Sequence, residues 1–330
     1  MKPSILAALA LASVAASASA QVNLANYARV GRYQLPEPTR SAAPAGNLLC
    51  QEASAVTWNR DTNTLFVAGD GGTSITQVSL SGQFINTMTL GPGSSPQGTS
   101  FYDPEGLTYI GGGQFVMVEE RNRIANRFTY TPNTTLLTSS PGVQRVTLGT
   151  TIGNIGLEGV AFDPSTNGFI FVKEESPEGI FQTTINWAAG TASNGSASTV
   201  NSINLFAPNL AGLSDFADVY AVSASNFFGG PTSNNLLILS QADGRVVEVD
   251  RAGNVISQLL ITGDPSDTIS ISAMQHEGMT MDDRGYLYIV SENGGGSQAF
   301  PELWVYAPIP TPGAAGLFAI AGLAAARRRR

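Results

Sequence analysis

Asp103-Pro-Glu-Gly-Leu-Thr-Tyr109, followed past a turn at Gly111 to Gly113 by Gln114-Phe-Val-Met-Val-Glu-Glu120, is the stretch on which the fold turns. Its pattern of acid, glycine, apolar run, tight turn, second apolar run and acidic ending returns as Gly156-Leu-Glu-Gly-Val-Ala-Phe162 to Phe169-Ile-Phe-Val-Lys-Glu-Glu175. It returns again as Gln275-His-Glu-Gly-Met-Thr-Met281 to Tyr286-Leu-Tyr-Ile-Val-Ser-Glu292. Looser copies are Glu52-Ala-Ser-Ala-Val-Thr-Trp58 to Leu65-Phe-Val-Ala-Gly-Asp70, and Asp215-Phe-Ala-Asp-Val219 to Leu236-Leu-Ile-Leu-Ser-Gln241, the latter with an insertion in its turn. Five units at a spacing of about 50 to 60 residues are the signature of a radially repeated fold.

Each apolar run is five or six residues, rich in β-branched and aromatic side chains and closed by turn residues, which predicts antiparallel hairpins. Further strands follow in several copies, at residues 75–80 and 84–90 and at 245–250 and 254–261. Four strands per unit predict an all-β, five-bladed β-propeller, with a six-bladed propeller of the NHL kind as the alternative. The last unit offers three strands, and residues 27–35 are expected to supply its fourth by pairing the two termini. The Gly/Ser/Asn-rich stretch 187–213 reads as a surface excursion between the third and fourth units. Composition agrees: 36 glycines, 18 prolines and only 13% charged residues in 330 favour short strands and turns over long helices.

The two ends read as addresses. Residues 1–20 carry Lys2, an apolar run and a small-residue ending before Gln21, the layout of a secretory signal peptide. Residues 309–330 carry Pro310-Thr-Pro312, a short apolar stretch and Arg327 to Arg330, and resemble the PEP-CTERM class of sorting signals. The resemblance implies a sorting enzyme of the inner membrane acting on the tail; a plain tail anchor is the alternative. Either way the body, residues 21–308, is expected outside the inner membrane, exported to the cell surface, outer envelope or medium, as a monomer. Taking Lys2 and the four terminal arginines from 17 bases leaves 12 against 25 acids, a net of −13 for the body. So acidic a body, without a basic stripe, argues against nucleic acid as a partner. One cysteine, Cys50, excludes an internal disulfide and a cysteine-rich zinc site.

The acids recur in register. At strand entry stand Glu52, Asp103, Glu105, Glu158, Asp215 and Glu277; at the end of the second strand stand Asp70, Glu119, Glu120, Glu174, Glu175 and Glu292. In a propeller both places lie on one face of the central channel, so these carboxylates are expected to converge and to require a cation. Calcium, which takes 6 to 8 oxygen ligands, suits a body with one His and one Cys. The metal ligands expected are drawn from Glu52, Asp103, Glu105, Glu158, Asp215, Glu277, Glu120, Glu175 and Glu292. The plain alternative is that these acids mark strand starts and solvated loops. In the fourth unit Ala217 stands at the glutamate position and in the first Ser54, so a central site is asymmetric.

With Asp103-Pro-Glu-Gly-Leu, Phe115-Val-Met-Val-Glu-Glu-Arg121, Leu157-Glu-Gly-Val-Ala-Phe-Asp-Pro164 and Glu277-Gly-Met in order, the chain resembles the SdiA-regulated family, the YjiK/CarP-like β-propellers, over about residues 24 to 308. The resemblance implies a five-bladed propeller, an exported or envelope location and a calcium site, without a defined catalytic activity. From the residues themselves, a triad hydrolase finds only His276, which strand alternation turns to the face opposite Glu277. Cys50 has no nearby base. A calcium-dependent phosphoesterase of phytase type or a lactonase is the enzymatic alternative to a binding or scaffolding module with an unidentified extracellular ligand or protein partner. The local basic cluster Arg121, Arg123 and Arg127 is read as pairing with neighbouring acids, or as a phosphate grip.

Overall fold

The computed structural model describes residues 21–37, 49–294 and 300–309; the expected signal peptide and nearly all of the expected sorting segment lie outside them. After β1 (Tyr27–Gln34), blade one is β2 (Ala53–Asn59), β3 (Thr64–Gly69), β4 (Ser74–Val78) and β5 (Phe84–Leu90). Blade two is β6 (Pro104–Gly111), β7 (Gln114–Glu119), β8 (Ile124–Thr129) and β10 (Gln144–Thr147), while β9 (Thr135–Leu136) crosses back to lie parallel to β5. Blade three is β11 (Leu157–Asp163), β12 (Gly168–Lys173) and β13 (Gly179–Thr183), followed by a small hairpin of β14 (Ile185–Asn186) and β15 (Thr191–Ala192). Blade four is β16 (Asp218–Ala221), β17 (Leu236–Ser240), β18 (Arg245–Val249) and β19 (Val255–Leu260). Blade five is β20 (His276–Met281), β21 (Leu287–Ser291) and β22 (Glu302–Pro308), completed by β1.

The ring closes at five. Inner strands β2, β6, β11, β16 and β20 pack in that cyclic order, and β20 packs back on β2, which removes the six-bladed alternative. The termini seal it as expected: β1 runs antiparallel to β22 from Tyr27 opposite Pro308 to Gln34 opposite Glu302. Arg29 and Arg32 of β1 lie 4.7 and 4.6 Å from the Trp304 ring centre, and Arg32 pairs with Glu302 at 2.7 Å and Asp267 at 2.9 Å.

Second strands read as unbroken apolar runs because both of their faces are buried. Phe115 and Met117 of β7 face blade one against Phe66 and Ala68, whereas Val116 and Val118 face blade three against Phe169 and Phe171. Separate clusters likewise fill the three-to-four, four-to-five and five-to-one interfaces. One expectation fails here, since blade three has three strands and not four. Its edge is covered by the excursion: Leu205 N–H donates to Ile180 O at 2.7 Å and Ile180 N–H to Asn204 Oδ1 at 3.0 Å.

Around the axis the strands approach so closely that side chains give way. A Cβ on Gly278 would lie 2.7 Å from Ser54 O and 2.8 Å from Ala55 Cα, and one on Gly106 2.9 Å from Glu158 O. Threonines two residues further along stitch neighbouring blades: Thr57 Oγ1 accepts from Tyr109 N–H, Thr108 from Phe162 N–H and Thr280 from Trp58 N–H, at 3.0 to 3.1 Å. The glycine of the repeated Glu-Gly step therefore serves blade-to-blade packing. Gly278→Val is expected to lower stability by about 1–3 kcal/mol, the usual cost of overpacking, read as a lower urea midpoint at unchanged slope.

Candidate metal centre

The glutamate of the Glu-Gly step owes its position to a bulge. Between β6 and β7 the register passes from Pro104 opposite Glu119 to Gly106 opposite Val118, leaving Glu105 as the extra residue. The same skip isolates Glu158 between Leu157 and Gly159, Glu277 between His276 and Gly278, and Ser54 between Ala53 and Ala55. A bulge re-aims a side chain out of the ladder, and here it turns three glutamates to the axis. Just before the inner strands, Glu52, Asp103 and Gln275 hold left-handed backbone with φ of 48°, 56° and 53°. The second-strand acids are tied to these entries: Glu120 N–H donates to Asp103 O at 2.9 Å, and Glu292 N–H to Gln275 O at 3.0 Å.

The result is a cavity of about 350 Å³ on the axis. The bulge acids Glu105, Glu158 and Glu277 line it from the inner strands. The first residue after each second strand lines it from the rim: Asp70, Glu120, Glu174 and Glu292, with Gln241 in blade four. Glu52, Asn154, Gln275 and Ala217 complete the lining, which includes no lysine or arginine among the described residues. Asp70, Asp103 and Glu105 each bring an oxygen to within 4.8 Å of the others, as do Glu120, Glu158 and Glu174.

Burial, and after it mutual repulsion, pushes Asp70, Glu105, Glu120, Glu158, Glu174 and Glu277 upward. Asp70 rises to about 8, with Glu292 and Glu52 as its strongest charged neighbours. Glu120 and Glu174 rise to about 7. Glu158 is held well above the usual range by burial and by Glu105, Glu120, Glu174 and Glu277, and Glu277 by burial and by Glu292, Glu105 and Asp70. These groups repel across the cavity, as facing groups must. Among the described residues Arg121 brings a positive group to the rim. Arg121 pairs with Asp103, stands 3.5 Å from Glu120 Oε2 and donates to Asn154 Oδ1.

Of the nine expected ligands, Glu52, Glu105, Glu120, Glu158, Glu277 and Glu292 line the cavity, and Asp103 stands beside it, grouped with Asp70 and Glu105. Two are placed elsewhere. Asp215 is turned to its own blade, accepting from Ser240 Oγ and, at 3.0 Å, from Ala242 N–H. Glu175 is exposed, one residue past the lining position that Glu174 fills. Glu119 also points away and accepts from Tyr102 N–H, Asn126 and Arg145. Asp70 and Glu174 carried a readable signal, since each follows its strand directly, as Glu120 and Glu292 do. Asn154 and Gln275 carried none. His276 lies edge-on to Trp304 at 4.7 Å, its pKa driven down to about 3 by burial and then by Arg32, and Cys50 is buried with its thiol pushed up to about 12.

Ring, bulges and axial acids together define a five-bladed β-propeller with an acidic cavity at one mouth of its channel. The chain belongs to the SdiA-regulated family, whose model matches residues 46–294. Among solved structures it is similar to the gluconolactonase XC5397 from Xanthomonas campestris, at 12% identity and TM-score 0.42 over 86% of this chain and 100% of that one. It is also similar to a Myxococcus xanthus glutaminyl cyclase, at 10% identity and TM-score 0.43 over 85% and 95%.

Acids whose folded pKa exceeds the unfolded value bind protons that the unfolded chain has lost, so stability falls as pH rises between the two. With unfolded carboxyls near 4 and folded values of about 7 to 8, chelator-treated protein is expected to be more stable at pH 5 than at pH 8. Urea unfolding at the two values checks the sign.

Proposed function

We propose that the chain is an exported, calcium-binding propeller that works at the cell surface or outer envelope as a binding or scaffolding module. The observation that carries this reading is the set of eight carboxylates facing one cavity with no lysine or arginine in its lining among the described residues. Buried carboxylates crowded together become favourable ligands once a cation stands between them. The donors are oxygens alone, in more directions than magnesium's strict octahedron uses, which favours calcium. The signal-peptide pattern of residues 1–20 supports export, and the proline, apolar and arginine order of 309–330 supports processing by an inner-membrane sorting enzyme.

A second reading is a calcium-dependent hydrolase, favoured by the size of the cavity, which exceeds the room one ion needs. Bound calcium would supply Lewis-acid polarisation. A lining with eight acids and no lysine or arginine among the described residues fits a neutral lactone better than a phosphoester, whose charge it repels.

Calcium at about 100 times its Kd is expected to add about 2.7 kcal/mol, a rise in melting temperature of roughly 5 °C, and Glu158→Gln or Glu277→Gln to remove most of it. Identical melting curves with calcium and with chelator would overturn the reading. Under the enzymatic version a lactone panel shows calcium-dependent ring opening that Glu158→Gln abolishes; no turnover on any lactone removes that version alone. Arg121→Gln, which frees Asp103 and Glu120 from their guanidinium, is expected to tighten calcium by about tenfold, measured by titration calorimetry.

A further inference from the structure

The arginines beside the acidic rim do not share one fate. Arg121 pairs with Asp103 and Glu120, and Arg127 donates to Gln114 Oε1 at 2.7 Å. Arg123, in the turn between β7 and β8, has no exposed surface at all. Its Nη1 donates to Val200 O, while Nε and Nη2 have no hydrogen-bond partner. Those two nitrogens form the side-on fork with which a guanidinium grips a two-pronged acceptor. Burial lowers its pKa, and among the described residues no carboxylate offsets that. A desolvated, unpaired cation strongly disfavours the folded state.

A second cation is buried nearby. Lys173, at the end of β12, is 1% exposed and donates to the carbonyls of Glu175 and Pro177. Its pKa is lowered by burial and then by repulsion from Arg123, which places the two charges within reach of each other. The excursion closes over this point. Leu148 N–H donates to Arg123 O at 2.8 Å and Thr150 N–H to Thr199 O at 2.7 Å. Gly149 lies against the guanidinium so closely that a Cβ there would come within 2.5 Å of Cζ. Backbone is thus fitted around a charged group whose fork nitrogens are enclosed and have no hydrogen-bond partner.

We infer that Arg123, with Lys173 near it, holds a small inorganic anion between blades two and three, beneath the excursion that follows blade three. The anion accepts from Nε and Nη2 and neutralises a positive interior site of an acidic body. Chloride and the small oxyanions sulfate and phosphate share the required chemistry. By fixing Arg123, the anion also fixes the Val200 carbonyl, so it fastens the excursion to the blade that carries Glu120.

The test is thermal unfolding of the whole chain at constant ionic strength, in gluconate, with chloride, sulfate or phosphate exchanged in. The expected result is a saturable rise in melting temperature with at least one of them. Arg123→Met should show no saturable rise, and should melt no lower than the unsubstituted chain in gluconate, since it removes an unpaired charge. Parallel anion responses in both proteins, or no saturable response in the unsubstituted chain, overturn the inference. Should Arg123→Met not fold, crystals of the unsubstituted chain soaked in bromide or selenate decide the matter. An anomalous peak within about 3.5 Å of Nε and Nη2 supports the site, and its absence from both soaks overturns it.

Discussion

Five inner strands have to meet around one axis, and the closeness of that meeting governs the rest of the molecule. Where Gly106 and Gly278 face a neighbouring backbone there is no room for a Cβ, and one step further on threonine hydroxyls take over backbone N–H groups that no strand can reach. A strand so confined on both sides can present a side chain to the channel only by leaving the ladder. The bulge does that, at Glu105, Glu158 and Glu277. Packing and site are therefore two outcomes of one local geometry, and the dipeptide Glu-Gly encodes both.

Gathering acids in this way opposes folding, because each raises the pKa of the next. The opposition is carried by the periphery. Each blade interface holds its own apolar cluster, and the two-sided burial of the second strands makes these clusters continuous around the ring. The terminal seal adds Trp304 between Arg29 and Arg32, well away from the axis. Stability and charge are thereby separated in radius: apolar burial lies outside, like charges at the centre. A cation at the centre reverses the sign of the central contribution without altering the periphery.

Much of this was legible in residues alone. Unbroken five-residue apolar runs, the Glu-Gly steps and the three-strand last unit led to a five-bladed ring closed by residues 27–35. The site was legible only where the repeat was regular. Glu174 and Glu175 are adjacent acids, and only the exact end of β12 at Lys173 decides which one turns inward. Asp215 holds an entry position in sequence but finds Ser240 Oγ and Ala242 N–H within its own blade, a pairing that depends on side-chain approach and not on spacing. The third blade's missing strand was hidden because Asn204 and Leu205 cover the edge from within a stretch of loop-like composition.

Blade four is where the repeat departs furthest, and the departure has a direction. It offers Ala217 and Gln241 where blades two, three and five offer acids at both positions, and it has Asp218 where those blades have their packing glycine. That carboxylate does not join the cavity; it accepts from Val219 N–H at 2.7 Å and from Met279 N–H at 2.6 Å, bridging blades four and five as the threonines bridge others. An acid has here taken over the stitching role, and the axis has lost one. The negative potential is therefore strongest away from blade four, toward the triads of blades one to three. A cation in this cavity is drawn off the axis to that side, which leaves the sector in front of Ala217 and Gln241 as the uncharged approach for whatever else enters.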